Sequence, residues 1–295
     1  HLYYEKGTKV DTITTNENGY AISKKLPLGK YYLIEVKTQD EYVLDSNKHY
    51  FELKEVNDET PIVFESYSNL NYLKKGTLEF TKKDLVNGDV IPNTIVEIYN
   101  ENNELIFTGK TDKDGKVIIT DLKVGKYYII EKEAATGYTI TNEKIFFELK
   151  ENGEITKAEM KDKPITGTLE FTKTDVSTGE PLPNTLIEIY NEKDELIFSG
   201  RTDENGKITI PEIRYGKYYI LEKEAPEGYT LNSERMYFEI LEDGKVVKAT
   251  MTDEKVVIEV PSTGITDTHI IEIAGALLTL GGIGVIVYVK KKKQK

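Results

Sequence analysis

Apolar and polar residues alternate in short runs through most of this chain. In Gly76-Thr77-Leu78-Glu79-Phe80-Thr81-Lys82, the side chains of Leu78, Phe80 and Lys82 fall on one face, because successive strand residues point to opposite sides of a sheet. Thr94-Ile95-Val96-Glu97-Ile98-Tyr99 is β-branched and aromatic, Asn100 to Asn103 breaks it, and Glu104-Leu105-Ile106-Phe107 resumes. Thr111-Asp112-Lys113-Asp114-Gly115 has turn chemistry. Tyr127 to Glu131 and Lys144 to Leu149 read as further strands. Short strands separated by turn signals, with no strong amphipathic-helix pattern, predict an all-β sandwich.

The pattern repeats. Gly76–Lys82 recurs as Gly167-Thr168-Leu169-Glu170-Phe171-Thr172-Lys173, 91 residues on. A period that long is a whole small domain rather than a solenoid turn. Residues 76–166 and 167–257 therefore read as tandem Ig-like sandwiches. Residues 1–75 read as a third, degraded copy: Thr15–Gly19 matches the turn at Thr111–Gly115, and Gly29–Glu35 matches Gly125–Glu131. Its first strand is missing, since His1 falls about where Glu97 does.

The alternation ends in a different texture. Residues 258–268 form a linker containing Val260-Pro261-Ser262-Thr263-Gly264. An apolar stretch, 269–289, follows, with one charge, Glu272, near the start of its Ile270–Val289 core. Twenty helical residues rise about 30 Å, enough to span a bilayer. The basic tail, 290–295, would hold that end in the cytoplasm. Motif, span and tail in this order resemble the cell-wall sorting signal of Gram-positive surface proteins, with Val260 where an LPxTG motif has Leu. The resemblance implies that a sortase attacks the Thr263 carbonyl and joins it to a peptidoglycan precursor. The membrane helix then serves only before processing, and the mature protein is expected at the cell surface. His1 is not a start and no signal peptide precedes it, so the sequence reads as the C-terminal piece of a longer protein.

Composition narrows the chemistry. The chain has no cysteine, so a covalent staple must be something other than a disulfide. His1, His49 and His269 are scattered, which excludes a compact histidine metal site or triad. A net charge of −12 argues against nucleic acid as a partner. Asp112–Gly115 and Asp203–Gly206 lack the later ligands of a calcium loop and read as β-turns. The tyrosine pairs read as packing rather than a sugar-stacking surface. No cofactor is expected, and no phosphate loop or catalytic serine motif is present.

Each copy places a lysine and two acids at core-facing positions: Lys82, Glu131 and Asp162 in one, Lys173, Glu222 and Asp253 in the other. Burying such groups is costly unless they are paired. Spacing alone leaves three readings: a buried salt-bridge cluster, charges that snorkel to the rim, or a reactive centre. Tyr218-Tyr219-Ile220-Leu221-Glu222-Lys223-Glu224-Ala225-Pro226-Glu227-Gly228-Tyr229 resembles the YxLxETxAPxGY box of the collagen-adhesin B-type, or SpaA-like prealbumin-like, domains of Gram-positive pilins and adhesins. Tyr127–Tyr138 has Ala135 for the proline, and Tyr31–Tyr42 keeps Glu35 but loses the Ala-Pro-Gly part. The resemblance implies an intramolecular Lys–Asp isopeptide bond in each complete copy, assisted by the Glu. In the first copy it leaves Glu35 and Asn71, with Asn69 as an alternative, and no lysine.

These features predict a wall-anchored stalk that projects an upstream head. Two other readings stand beside it: a module that itself binds a host or neighbouring-cell ligand, and a tether for an upstream enzyme. No Tyr-Pro-Lys motif of a polymerising pilin appears, which favours a single stalk or a pilus base over a shaft.

Overall fold

A computed structural model describes residues 4–56 and 63–257. The sorting motif, the apolar span and the basic tail lie outside the described residues. Among those described, no helix is long and apolar enough to cross a membrane.

The first repeat contains an antiparallel pair, β1 (Gly29–Leu33) and β2 (His49–Leu53), and a bridge between Tyr42 and Leu73. The middle repeat contains β3 (Lys75–Asp84), β4 (Ile95–Asn100), β5 (Leu105–Lys110), β6 (Lys116–Lys123), β7 (Gly125–Glu133), β8 (Ile145–Leu149) and β9 (Ile155–Asp162). The last repeat copies it with β10 (Thr166–Asp175), β11 (Leu186–Asn191), β12 (Leu196–Arg201), β13 (Lys207–Arg214), β14 (Gly216–Glu224), β15 (Met236–Ile240) and β16 (Lys245–Asp253).

Each complete repeat is a two-layer sandwich. In the middle repeat one layer has the order β6-β3-β9 and the other β5-β4-β7-β8. Leu78, Phe80, Val117 and Met160 from the first layer pack against Val96, Ile98, Ile129 and Leu149 from the second. The alternation in β3 is the cause: every second side chain from Gly76 to Asp84 is buried, and those between are half-buried. The last repeat builds the same core from Leu169, Phe171, Ile187, Ile220 and Met251.

The pairing that matters most joins the ends of a repeat. β3 runs parallel to β9, and β10 to β16, so the first and last strands lie side by side. Parallel neighbours need a long crossover, and here the crossover is the rest of the domain. Gly76 permits the approach: a Cβ there would sit 2.7 Å from the Glu154 carbonyl oxygen and 2.9 Å from the Leu149 side chain.

The tyrosine pairs divide between the two faces of their strand. Tyr127 is buried and stacks on Phe147 at 5.2 Å, its hydroxyl donating to the Lys123 carbonyl. Tyr128 lies on the outer face in a ladder with Tyr99 and Phe146, capped by the Lys144 ammonium at 4.0 Å.

Candidate cross-linking site

The parallel register sets the site. Lys82 pairs with Met160 and Asp84 with Asp162, so Asp162 lies one same-face step beyond the lysine on the neighbouring strand. Glu131 comes from β7 in the opposite layer. None of the three side chains is exposed to solvent. Lys82 Nζ lies 2.5 Å from Asp162 Oδ1 and 3.2 Å from Glu131 Oε1. Both are ion-pair contacts, and Asp162 Oδ2 has no hydrogen-bond partner among the described residues.

The surrounding chain fixes each member. Lys82 N–H donates to the Gly115 carbonyl, and its own carbonyl accepts from Ile91 N–H. Gly115 has φ +68, and a Cβ would sit 2.8 Å from the Lys82 carbonyl oxygen, so the Asp112–Gly115 turn is a close support of the lysine. Asp112 Oδ1 accepts from Asp114 N–H and Lys116 N–H, which uses that oxygen inside the turn. Glu131 Oε2 accepts from Thr141 N–H at 2.7 Å. Leu85 N–H donates to the Asp162 carbonyl at 2.8 Å and holds the end of β9.

The last repeat reproduces the arrangement. Lys173, Glu222 and Asp253 have no exposed side-chain surface. Lys173 Nζ donates to Glu222 Oε2 at 3.1 Å and, at a shorter distance, to Asp253 Oδ1. Asn232 N–H steadies Glu222 Oε2, and Val176 N–H holds the Asp253 carbonyl.

Two carboxyls against one ammonium cannot all be ionised cheaply in a dry interior. Burial, with the neighbouring Glu131 carboxyl, pushes Asp162 up to about 7 against the pull of Lys82. In the last repeat burial raises Glu222. Each trio thus contains an acid whose pKa burial raises above the usual carboxylate range. One oxygen each of Glu131, Glu222 and Asp253 also lacks a hydrogen-bond partner.

Sequence reasoning passed over Asp84 and Asp175, which are also buried. Asp84 Oδ1 accepts from Val86 and Asn87 N–H, and Oδ2 from Tyr138 OH and Arg214 Nη1. Burial raises its pKa, but these donors outweigh it and hold the carboxyl at about 2. The available signal was parity, since Asp84 follows Lys82 by two residues. In the first repeat, Asn71 Nδ2 donates to Glu35 Oε1 at 2.7 Å, while Asn69 Nδ2 reaches Asp45 instead.

The SpaA model, a prealbumin-like fold domain, matches residues 1–67, 76–164 and 167–255. The chain belongs to that family. An LPXTG cell wall anchor motif matches residues 255–295, which makes this SpaA-type chain a cell-wall-anchored surface protein. It is 28% identical over 268 residues to the bone sialoprotein-binding protein of Staphylococcus aureus, covering 83% of this chain and 22% of that one. To serine-aspartate repeat-containing protein E of the same species it is 28% identical over 290 residues, covering 85% and 25%. The chain thus spans about a quarter of the length of these two relatives. Among solved structures, the Bacillus anthracis TIE protein superposes with a TM-score of 0.71 at 39% identity, covering 82% of this chain and 45% of that one.

Proposed function

We propose that the middle and last repeats each close an amide between the lysine of the first strand and the aspartate of the last, and that the locked repeats form a load-bearing stalk. The neutral Lys82 amine attacks Cγ of protonated Asp162, the new C–N bond forms, and one water leaves. Glu131 accepts a proton from the attacking nitrogen and returns one to the departing oxygen. The fold holds the reactants in contact, which substitutes for an activating group. In the last repeat Lys173 and Asp253 form the bond, and Glu222, the acid that burial raises there, gives a proton to the departing oxygen and regains one from the nitrogen.

The observation that carries this reading is a lysine with no solvent exposure, 2.5 Å from a carboxyl whose pKa burial raises to about 7. A salt bridge would keep both groups buried as they are, whereas condensation replaces the amine and the acid with one neutral amide. Both ends of a repeat meet at this bond, so tension entering at β3 leaves through β9 without loading the chain between them.

The stalk reading also requires the wall end to be fixed by sortase at Thr263. Thr263→Ala should leave the protein in the membrane fraction, while a peptidoglycan hydrolase should release the parent protein. Equal detergent extraction of both would refute the sorting step.

Host-surface binding by the repeats is the second reading. One relative is named for binding bone sialoprotein, and outer aromatic ladders stand at matching positions, Tyr99–Tyr128 and Tyr190–Tyr219. Saturable binding of residues 76–257 to immobilised bone sialoprotein would support it, and no binding would return the repeats to a purely mechanical role.

A further inference from the structure

We propose that the middle and last repeats are held as one stiff unit by a latch, in which Arg214 of the last repeat closes onto the buried Asp84 of the middle repeat. Only Lys163, Pro164 and Ile165 lie between β9 and β10, and each is committed. The Lys163 carbonyl accepts from Thr139 N–H, and Pro164 is bridged to Tyr138. Ile165 donates its N–H to the Gly137 carbonyl of the middle repeat and accepts from Tyr215 N–H of the last. One residue is thus hydrogen-bonded into both domains, leaving no free segment to act as a hinge.

The latch lies beside this joint. Arg214, at the end of β13, places Nη1 2.7 Å from Asp84 Oδ2, which Tyr138 OH also reaches at 3.0 Å. Tyr215 packs over Gly137, where a Cβ would stand 3.4 Å from the tyrosine Cβ. A carboxylate with no exposed surface needs a cation, and the one it has comes from the next domain. Opening the joint would strand that charge. On the outside, Asp243 of the last repeat accepts from both Lys163 Nζ and Thr166 N–H.

The last repeat shows the same acid handled differently. Asp175 accepts from Ser177 and Thr178 N–H and from Tyr229 OH, as Asp84 does from its own turn and tyrosine. Its cation is Lys255 of its own repeat, at 4.0 Å and well exposed. The arginine contact therefore belongs to the joint and is not a requirement of the sandwich. It stands whether or not Lys82 is joined to Asp162.

Because the chain has no cysteine, two nitroxide labels can be placed at will. Glu101→Cys and Glu192→Cys put them on equivalent exposed turns of the two repeats. Pulsed electron paramagnetic resonance on the doubly labelled full chain should give one narrow distance distribution. Arg214→Ala should broaden it at least about twofold, since domains without a strong interface move independently. Arg214→Lys, which keeps the cation, should stay close to the parent. A thermal melt of each variant checks that both repeats remain folded. A broad distribution in the parent, an unchanged width in Arg214→Ala, or equal broadening in both variants would overturn the latch.

Discussion

In the first repeat half-buried Glu35 accepts from exposed Asn71, whereas in the middle repeat Glu131 meets Asp162 and Lys82 with no exposed side-chain surface. The same kind of acceptor pair is present in both. Among the described residues of the first repeat no strand covers this pair. β3 covers the pair, packs Leu78 and Phe80 behind it and excludes water. The proposed condensation asks for more than an acid and its partner at matching positions. It also asks for water exclusion, which raises a carboxyl's pKa.

The largest expected effect is mechanical. Single-molecule pulling on residues 76–257 should show no full-length domain extension. The Lys82→Ala, Lys173→Ala double variant should show two such steps, as an open repeat would. The sequence separation between Lys173 and Asp253 is 80 residues. By analogy with disulfide loop closure, each cross-link contributes about 4–5 kcal/mol, so the double variant should also melt far lower.

A smaller change separates chemistry from packing. Glu131→Gln keeps the shape of the site but removes the proton acceptor. It should block the middle bond only, and its mass should exceed the parent's by one water once the substitution itself is allowed for. Loss of both bonds would show that the repeats do not react independently.

The pH dependence is smaller again and has a defined sign. In unlinked Lys82→Ala, Asp162 keeps the burial that raises it, and the lysine that opposes the shift is gone. The native state then binds more protons than the unfolded one between about pH 4 and 7, so stability falls as pH rises, by up to about 1.4 kcal/mol per unit. The linked parent has no free Asp162 carboxyl and should lack this slope in denaturant titrations. Least of all, Asn71→Ala should alter neither the mass offset nor the melting of the other two repeats.

Much of this architecture was legible because strand periodicity needs only local sequence. Alternation in Gly76–Lys82 placed the lysine on the core side, and its return at Gly167–Lys173 marked the tandem copies. The strand β6 was missed: Thr120-Asp121 interrupts its apolar pattern, and Asp121 adopts φ +60. The parallel pairing of β3 with β9 was not readable either, because register between strands so far apart is fixed by the assembled core. Asp84 was overlooked for a related reason. What lets it stay charged while buried includes an arginine 130 residues away.

The central claim is that two lysine–aspartate pairs become amides, and intact mass tests it most directly. Folded residues 76–257 should weigh two water molecules less than their sequence, with peptide mapping recovering Lys82 joined to Asp162 and Lys173 joined to Asp253. A mass equal to the unmodified sequence would contradict the account and reduce both trios to buried salt bridges.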